Sequence, residues 1–243
     1  MPELITEPTP EPIRKLALFD LDHTLLPIDS ADGWSHFLVT AAGLPPERAD
    51  PIRAEIRRHA ADYQAGRFDV EGYLAFQMDL LAQFPRAQLE IWRAHYLRET
   101  VMPALRFESQ TLVEKHRSDG WTVAMVTGTH SFVTGPIAAL FGIEHLLAVQ
   151  PQQGADGEFT GRWLPPHTYQ QGKVLATERF LAEHGSSLDA LEDSTFFSDS
   201  INDLPLLERV RRPVVTNGDA RLRAVAADRG WPLLDLFDPG RAA

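Results

Sequence analysis

Short, unbroken apolar runs recur along the chain, and each ends in small or polar residues. The runs are KLALFDLD from Lys15, WTVAMVTG from Trp121, HLLAVQ from His145, STFFSDS from Ser194 and RPVVTNG from Arg212. Because they are continuous rather than alternating, they predict strands buried on both faces of a parallel sheet. Helical patterns lie between several of the runs, at residues 104–120, 129–142 and 172–185. This alternation predicts an α/β fold with a doubly wound, mostly parallel sheet.

The stretch from residue 29 to 101 has a different pattern, without a convincing strand. Amphipathic helices are predicted at 31–42, 46–64, 70–84 and 86–101, several opened by Pro, Asp or Glu. We therefore expect a four-helix cap at 29–101, inserted into a core domain made of 15–28 and 102–243. Residues 1–14 are rich in Pro and Glu and predict a disordered leader.

Composition narrows the class of protein. No apolar run reaches the ~18 residues of a membrane span, so no stable membrane association is expected. The chain has no cysteine, which excludes disulfides and thiolate chemistry and fits a cytoplasmic protein. The net charge of -11 argues against a nucleic-acid partner, because binding to phosphate backbones needs clustered Lys and Arg.

Polar side chains follow the predicted strands, at the end of an open α/β sheet where ligands bind. Neighbouring strands would bring together four carboxylates, one threonine and one lysine: Asp20, Asp22, Asp199, Asp203, Thr127 and Lys173. Four carboxylates repel one another unless a divalent cation and the lysine compensate them. Hard oxygen ligands favour Mg²⁺ over zinc. The pattern therefore predicts a magnesium site.

Four short motifs carry a resemblance to a known family. The segments DLDHT, VTGT, GK and SDSIND, in this order, resemble the four motifs of the haloacid dehalogenase superfamily. The helical insert directly after the first motif is similar to the phosphoserine-phosphatase-like branch, which carries a four-helix cap there. The likeness covers roughly residues 16–236. It implies a Rossmann-like core, a Mg²⁺ cofactor and a small phosphorylated metabolite as substrate.

The resemblance also implies a role for each motif residue. Asp20 would be the nucleophile that forms an aspartyl-phosphate, and Asp22 the general acid and then base. Thr127 and the backbone N–H of Gly128 would hold the phosphoryl oxygens, while Lys173 neutralises charge. An acid at the position of Asp22 points to a phosphatase or a phosphomutase.

A metal-ligand set follows from the same resemblance. It is Asp20, the carbonyl of Asp22 and Asp199, with Asp203 in support and Asn202 as a further candidate. His23 stands where the family usually has a small residue, and no catalytic role is assigned to it.

Each motif residue also has an ordinary structural interpretation. Asp20 and Asp22 are common turn formers at strand ends, and Thr127 alone is typical of a helix N-cap. Lys173 alone resembles any surface lysine, and Asp199 with Asp203 suits a solvated helix start. The order of all four motifs favours the catalytic interpretation.

Substrate choice rests on cap residues. Phosphoserine phosphatases of this branch bind the substrate amine with a Glu, whose place is held here by Asp29. Asp29 serves equally well as the N-cap of the first cap helix. Their carboxylate-binding arginine is replaced by Gln77, which favours histidinol phosphate over phosphoserine. Arg67 and Arg53 are candidate substitutes for that arginine.

Three other functions are left open. The same motifs serve a phosphomutase or phosphotransferase, and relatives in this branch dephosphorylate phosphatidylglycerophosphate. A catalytically silent binding module is the third alternative, although such a module would be expected to lose Asp20 or Lys173, and the chain keeps both.

Overall fold

The computed structural model describes residues 12–237, and most of the predicted leader at 1–14 lies outside that range. The strands are β1 Lys15–Phe19, β2 Thr122–His130, β3 His145–Gln153, β4 Phe159–Leu164, β5 Asp193–Ser198, β6 Arg212–Thr216 and β7 Leu233–Leu234. They form one sheet in the order β4-β3-β2-β1-β5-β6-β7. Every neighbouring pair is parallel except β3 with β4. The prediction of a doubly wound, mostly parallel sheet is confirmed.

Helices cover both faces of this sheet. They are α1 Ser30–Ala41, α2 Pro46–Gln64, α3 Val70–Ala82, α4 Arg86–Tyr96, α5 Met102–Ala104, α6 Phe107–Ser118, α7 Ser131–Leu140, α8 Gln171–Glu183, α9 Leu204–Leu207 and α10 Ala220–Arg229. A π-helical turn, Leu97–Val101, joins α4 to α5. Helices α1 to α4 match the four predicted cap helices, the last of which is completed by the π turn. None of the helices between residues 12 and 237 is long and apolar enough to cross a membrane.

Strand β1 lies at the centre of the sheet, and this position creates the site. Phe19 is in register with Met125 of β2 on one side and with Phe197 of β5 on the other. The carboxyl ends of three neighbouring strands therefore meet at one edge, where parallel sheets bind ligands.

One apolar cluster connects the cap helices to the sheet. Trp34 of α1, Met78 of α3 and Tyr96 of α4 belong to the same buried cluster as Phe19 and Met125 of the sheet. The boundaries at residues 29 and 101 stay a prediction, because the buried apolar contacts continue across them.

Candidate active site

The loop after β1 is held by backbone hydrogen bonds. The N–H of Asp20 donates to the carbonyl of Phe197 at 3.0 Å, so Asp20 continues the pairing of β1 with β5. His23 then adopts a left-handed conformation with φ of 58°. The side-chain amide of Asn217 donates to the carbonyls of His23 and Thr24, which fixes this turn. The loop therefore directs Asp20 and Asp22 toward the crevice.

Lys173 joins two of the predicted carboxylates. Its ammonium group donates to Asp20 Oδ1 at 2.8 Å and to Asp203 Oδ2 at 2.6 Å, and the residue is only 3% exposed. Ser198 also donates to Asp203 Oδ2. Burial alone would lower the pKa of Lys173, but the two carboxylates outweigh it and the net effect is a raised pKa. Lys173 is therefore a fixed positive charge at the edge of the sheet.

Gly172 allows the backbone to place Lys173 at the start of α8. A Cβ atom at residue 172 would overlap the backbone carbonyl oxygen of His167. Because backbone cannot move aside as a flexible side chain can, only glycine fits at the start of α8. The glycine of the GK motif thus has a steric reason.

Both carboxylate oxygens of Asp22 accept hydrogen bonds. The N–H of Ser30 donates to Oδ1 at 2.7 Å, and the hydroxyl of Thr129 donates to Oδ2 at 2.8 Å. Burial, the charge of Asp29 and that of Asp20 raise the pKa of Asp22 to about 8. A carboxyl group that holds its proton near neutral pH suits a general acid. Thr129 had no role in the sequence interpretation.

Thr127 and Gly128 follow at the end of β2. The hydroxyl of Thr168 donates to the carbonyl of Thr127 at 2.5 Å, and Thr127 Oγ1 accepts from the N–H of Thr129 at 3.2 Å. Thr127 is buried, and both it and Gly128 line the cavity at the strand end. Hydrogen bonds therefore hold the segment in place where phosphoryl oxygens would bind.

Asp199 is crowded by negative charge. Burial, with the charges of Asp20 and Asp203, raises its pKa to about 9. The Thr24 hydroxyl lies 3.5 Å from Asp20 Oδ2 and 3.3 Å from Asp199 Oδ1, which brings these two carboxylates to one point. One ammonium group, that of Lys173, faces three carboxylates, and the excess negative charge fits a bound cation.

The donor set is sparse. Within residues 12–237, no group of three or more His, Cys, Asp or Glu side chains has metal-ligand geometry. Two carboxylates and a backbone carbonyl, with water completing the shell, are nonetheless the kind of ligand set that Mg²⁺ uses in phosphoryl-transfer sites.

A cavity of about 280 Å³ lies between the strand ends and the cap helices. The predicted residues that line it are Asp20, Asp22, Thr127, Gly128, Lys173, Asp199, Asn202, Asp203 and Asp29. Asp29 caps α1, since its Oδ1 accepts from the N–H groups of Ala31 and Asp32, and it also faces the cavity. Its two candidate roles are therefore compatible.

The structure corrects the placement of the other cap candidates. Gln77 is buried and forms a hydrogen bond with Ser35 inside the cap. The exposed guanidinium of Arg67 pairs with Asp62, and that of Arg53 with Asp50. None of Gln77, Arg67 and Arg53 lines the cavity.

Apart from Asp29, the residues on the cap side of the cavity were not predicted from the sequence. Asp32 faces the cavity beside Asp29, as the spacing of three residues on one helix would have indicated. Five aromatic side chains complete this side and are called the aromatic wall: His59, Tyr63, Phe68, Tyr73 and Tyr169. His59, Tyr63 and Tyr73 lie on helices, where their sequence pattern is that of an ordinary apolar face, and Phe68 and Tyr169 lie in loops.

Comparisons with known proteins agree with this geometry. The family profile described as haloacid dehalogenase-like hydrolase matches residues 17–208. The chain therefore belongs to the haloacid dehalogenase-like hydrolases. The predicted family, fold and class of enzyme, a phosphatase of this superfamily, are confirmed.

Individual proteins resemble the chain over most of its length. A histidinol-phosphatase of Neisseria meningitidis serogroup C (strain 8013) is 33% identical over 224 residues, which cover 92% of this chain and 100% of that protein. A crystal structure of a protein of unknown function from Bordetella pertussis Tohama I has a TM-score of 0.86 at 40% identity, covering 93% of this chain and 100% of that one. A phospho-aspartyl intermediate analogue of phosphoserine phosphatase has a TM-score of 0.65 at 17% identity, covering 92% and 93%, and shares the fold.

Proposed function

We propose that the protein is a Mg²⁺-dependent phosphatase that hydrolyses a small phosphomonoester through an aspartyl-phosphate on Asp20. The observation that carries this proposal is the buried Lys173, whose ammonium group donates to both Asp20 and Asp203. The contact holds the Asp20 carboxylate in one orientation, as a nucleophile requires. It also places a positive charge where the negative charge of a phosphoryl group would collect.

The remaining residues fit the two steps of such a reaction. An oxygen of Asp20 attacks phosphorus while the ester P–O bond breaks, and Asp22 gives its proton to the leaving oxygen. Asp22 then takes a proton from water, whose oxygen attacks phosphorus and breaks the bond to Asp20. Thr127 and Gly128 would hold the phosphoryl oxygens during both steps.

The metal site belongs to the same proposal. Asp20, the carbonyl of Asp22 and Asp199 would hold Mg²⁺, and bound Mg²⁺ neutralises phosphate charge and orients the group. Asp203 supports the site through Lys173, and Asn202 is a further oxygen donor at its rim. The crowding of Asp199 by neighbouring carboxylates supports a cation here.

Histidinol phosphate is the favoured substrate. The relative from Neisseria meningitidis carries the name histidinol-phosphatase and aligns over its full length. Asp29 uses only Oδ1 for capping, which leaves Oδ2 for an ammonium group. Phosphoserine would in addition need a cation for its carboxylate, and among the described residues that line the cavity the only lysine or arginine is Lys173, which already pairs with Asp20 and Asp203. Phosphoserine therefore stands second.

Other activities use the same residues. A phosphomutase or phosphotransferase would pass the phosphoryl group from Asp20 to an alcohol instead of water, and a lipid phosphatidylglycerophosphate would have to enter under the cap. A silent binding module would not need the Lys173 contacts. A cytoplasmic location stays a prediction.

The test is release of inorganic phosphate from a panel of phosphomonoesters with Mg²⁺ and with chelator. The panel contains histidinol phosphate, phosphoserine, sugar phosphates and a lipid glycerophosphate. We expect histidinol phosphate to be preferred, chelator to stop release reversibly, and Asp20→Asn to abolish it. The exposed Asp79→Asn serves as the control for loss of one carboxylate. Release by Asp20→Asn, or full activity in excess chelator, contradicts the mechanism.

A further inference from the structure

The cavity has two chemically different ends. At the strand ends it is lined by Thr127, Gly128 and Lys173, which suit a phosphoryl group. Under the cap it is lined by Asp29, Asp32 and the aromatic wall. A ligand that fills the whole cavity must therefore carry an anionic group at one end and something complementary to acids and aromatic rings at the other.

Charge defines what the cap end can bind. Among the described residues that line the cavity, Lys173 is the only lysine or arginine, and Asp20 and Asp203 already occupy it. His59 also lines the cap end, and burial followed by the nearby Arg58 lowers its pKa, so the imidazole is neutral. The cap end is thus negative. It attracts an ammonium group and repels a carboxylate.

Asp32 is the second acid of this end. Its Oδ1 lies 3.5 Å from the hydroxyl of Tyr73, on the neighbouring helix α3. Burial, with the charge of Asp29, raises the pKa of Asp32 to about 7, as expected for two carboxylates that share a site without a cation. An ammonium group between Asp29 and Asp32 would satisfy both carboxylates.

The aromatic wall forms a continuous surface. The ring centroids of Tyr63 and Phe68 are 5.3 Å apart, those of Phe68 and Tyr73 5.2 Å, and those of Tyr73 and His59 5.2 Å. Phe68 also reaches Tyr169 of the core, at 5.3 Å. Rings at these distances present faces and edges on which another flat ring can pack.

We infer that Asp32, Phe68 and Tyr73 form a leaving-group subsite that selects phosphomonoesters of amino alcohols bearing a flat nitrogen-containing ring. Asp32 acts with Asp29 on the ammonium group, the hydroxyl of Tyr73 orients Asp32, and Phe68 packs on the ring. The inference rests on the proposed function for the phosphoryl end. The subsite itself binds the alcohol, which requires no phosphoryl transfer.

The test therefore measures binding of the free alcohol to the wild-type protein by chemical-shift titration. Histidinol carries the ammonium group and the ring, and histidine keeps both but has a carboxylate in place of the hydroxymethyl group. We expect histidinol to bind at least tenfold more tightly than histidine. Equal affinities, or no binding of histidinol, overturn the subsite. Either result leaves phosphate release as a separate measurement of the proposed function.

The contribution of charge is tested with a variant of Asp32. Asp32→Asn should weaken histidinol about tenfold, the range for loss of a hydrogen bond to a charged group. The control Glu71→Gln removes an exposed acid near the start of α3 and should leave the affinity unchanged. Equal losses in Asp32→Asn and Glu71→Gln would reduce the effect to net charge and overturn the role of Asp32.

The ring contact is tested by comparing two amines. Phe68→Leu should weaken histidinol several-fold while leaving the ringless ethanolamine unchanged. Phe84→Leu is the matched control, because Phe84 packs on the apolar cluster outside the cavity. Equal losses for histidinol and ethanolamine in Phe68→Leu would show that Phe68 shapes the cap without touching the ring, which contradicts its assigned role.

Discussion

The hydroxyl groups of Tyr63 and Ser200 lie 2.8 Å apart and join cap helix α2 to the loop after β5. Ser200 follows directly on Asp199, so the contact ties the cap to the edge of the proposed metal site. Phe68 packs on Tyr169 nearby and makes a second bridge between cap and core.

Removing this hydrogen bond should loosen the cap. We expect Tyr63→Phe and Ser200→Ala, combined in a double-mutant cycle, to show a coupling of about 1 kcal/mol in the free energy of unfolding. The phenylalanine keeps the edge contact with Phe68, so the cycle reports the hydroxyl pair. Simple additivity of the two substitutions would show that the pair contributes nothing.

Loss of Lys173 should cost stability as well as activity. Lys173→Met leaves Asp20 and Asp203 buried without their common cation, and breaking a buried ion pair costs about 3–5 kcal/mol. Urea denaturation in chelator measures this cost. The control is Lys115→Met, whose exposed pair with Asp119 should leave the urea midpoint unchanged. Similar midpoints for both variants would contradict the burial argument.

The glycine before Lys173 should not tolerate even the smallest substitution. In Gly172→Ala the added methyl group meets the carbonyl oxygen of His167, so the start of α8 must shift and move Lys173 away from Asp20. We expect a lower melting temperature and a large loss of phosphate release. Gly135→Ala in α7, where a Cβ meets nothing within 4 Å, should keep wild-type activity. Unchanged activity in Gly172→Ala would remove the steric explanation of the GK motif.

His130 should make the fold sensitive to acid. Within the described part of the chain neither ring nitrogen has a hydrogen-bond partner, and burial with the nearby Arg93 lowers its pKa from 6.5 to about 3. Below pH 6.5 His130 becomes protonated in the unfolded chain, whereas in the folded state it stays neutral until the pH approaches 3. Stability is therefore complete above pH 6.5 and falls as the pH decreases toward 3.

The size of this effect is measurable. Between pH 7 and pH 5 the contribution of His130 should reduce the free energy of unfolding by about 2 kcal/mol. His130→Phe should show a shallower loss over the same range, while His36→Gln, at an exposed position, should follow the wild type. Parallel curves for His130→Phe and the wild type would contradict the assigned pKa.

The core of the fold was predictable because buried parallel strands leave unbroken apolar runs. Strand β4 was missed, since every second residue of FTGRWL is exposed, only Phe159 is fully buried, and Gly161 has a φ of 76°. Such an antiparallel edge strand has no continuous apolar run to detect. Short β7 contains only two residues and was missed as well.

The motif residues of the site were predictable because strand ends of one parallel sheet converge. Asp20 and Lys173 are 153 positions apart, and only the central place of β1 brings them together. The aromatic wall was not predictable, because it depends on how α2 and α3 are rotated over the crevice and on the loops that carry Phe68 and Tyr169.

The helical periodicity around Gln77 indicates its place better than its alignment with the arginine of phosphoserine phosphatases does. Leu74, Met78 and Leu81 are buried with it on α3, at the spacing of one apolar helix face. Gln77 in that row points into the cap, where it forms a hydrogen bond with Ser35, rather than into the cavity. The sequence therefore contained the evidence against Gln77 as a substrate contact.

The apolar cluster that runs from Trp34 and Met78 of the cap to Phe19 of the sheet also determines how the protein unfolds. Neither part can melt without exposing the buried side of the other. Heat should therefore unfold both in one cooperative transition, with equal calorimetric and van't Hoff enthalpies. A peptide comprising residues 29–101 alone would lack its buried contacts with the sheet and should not hold its helices together.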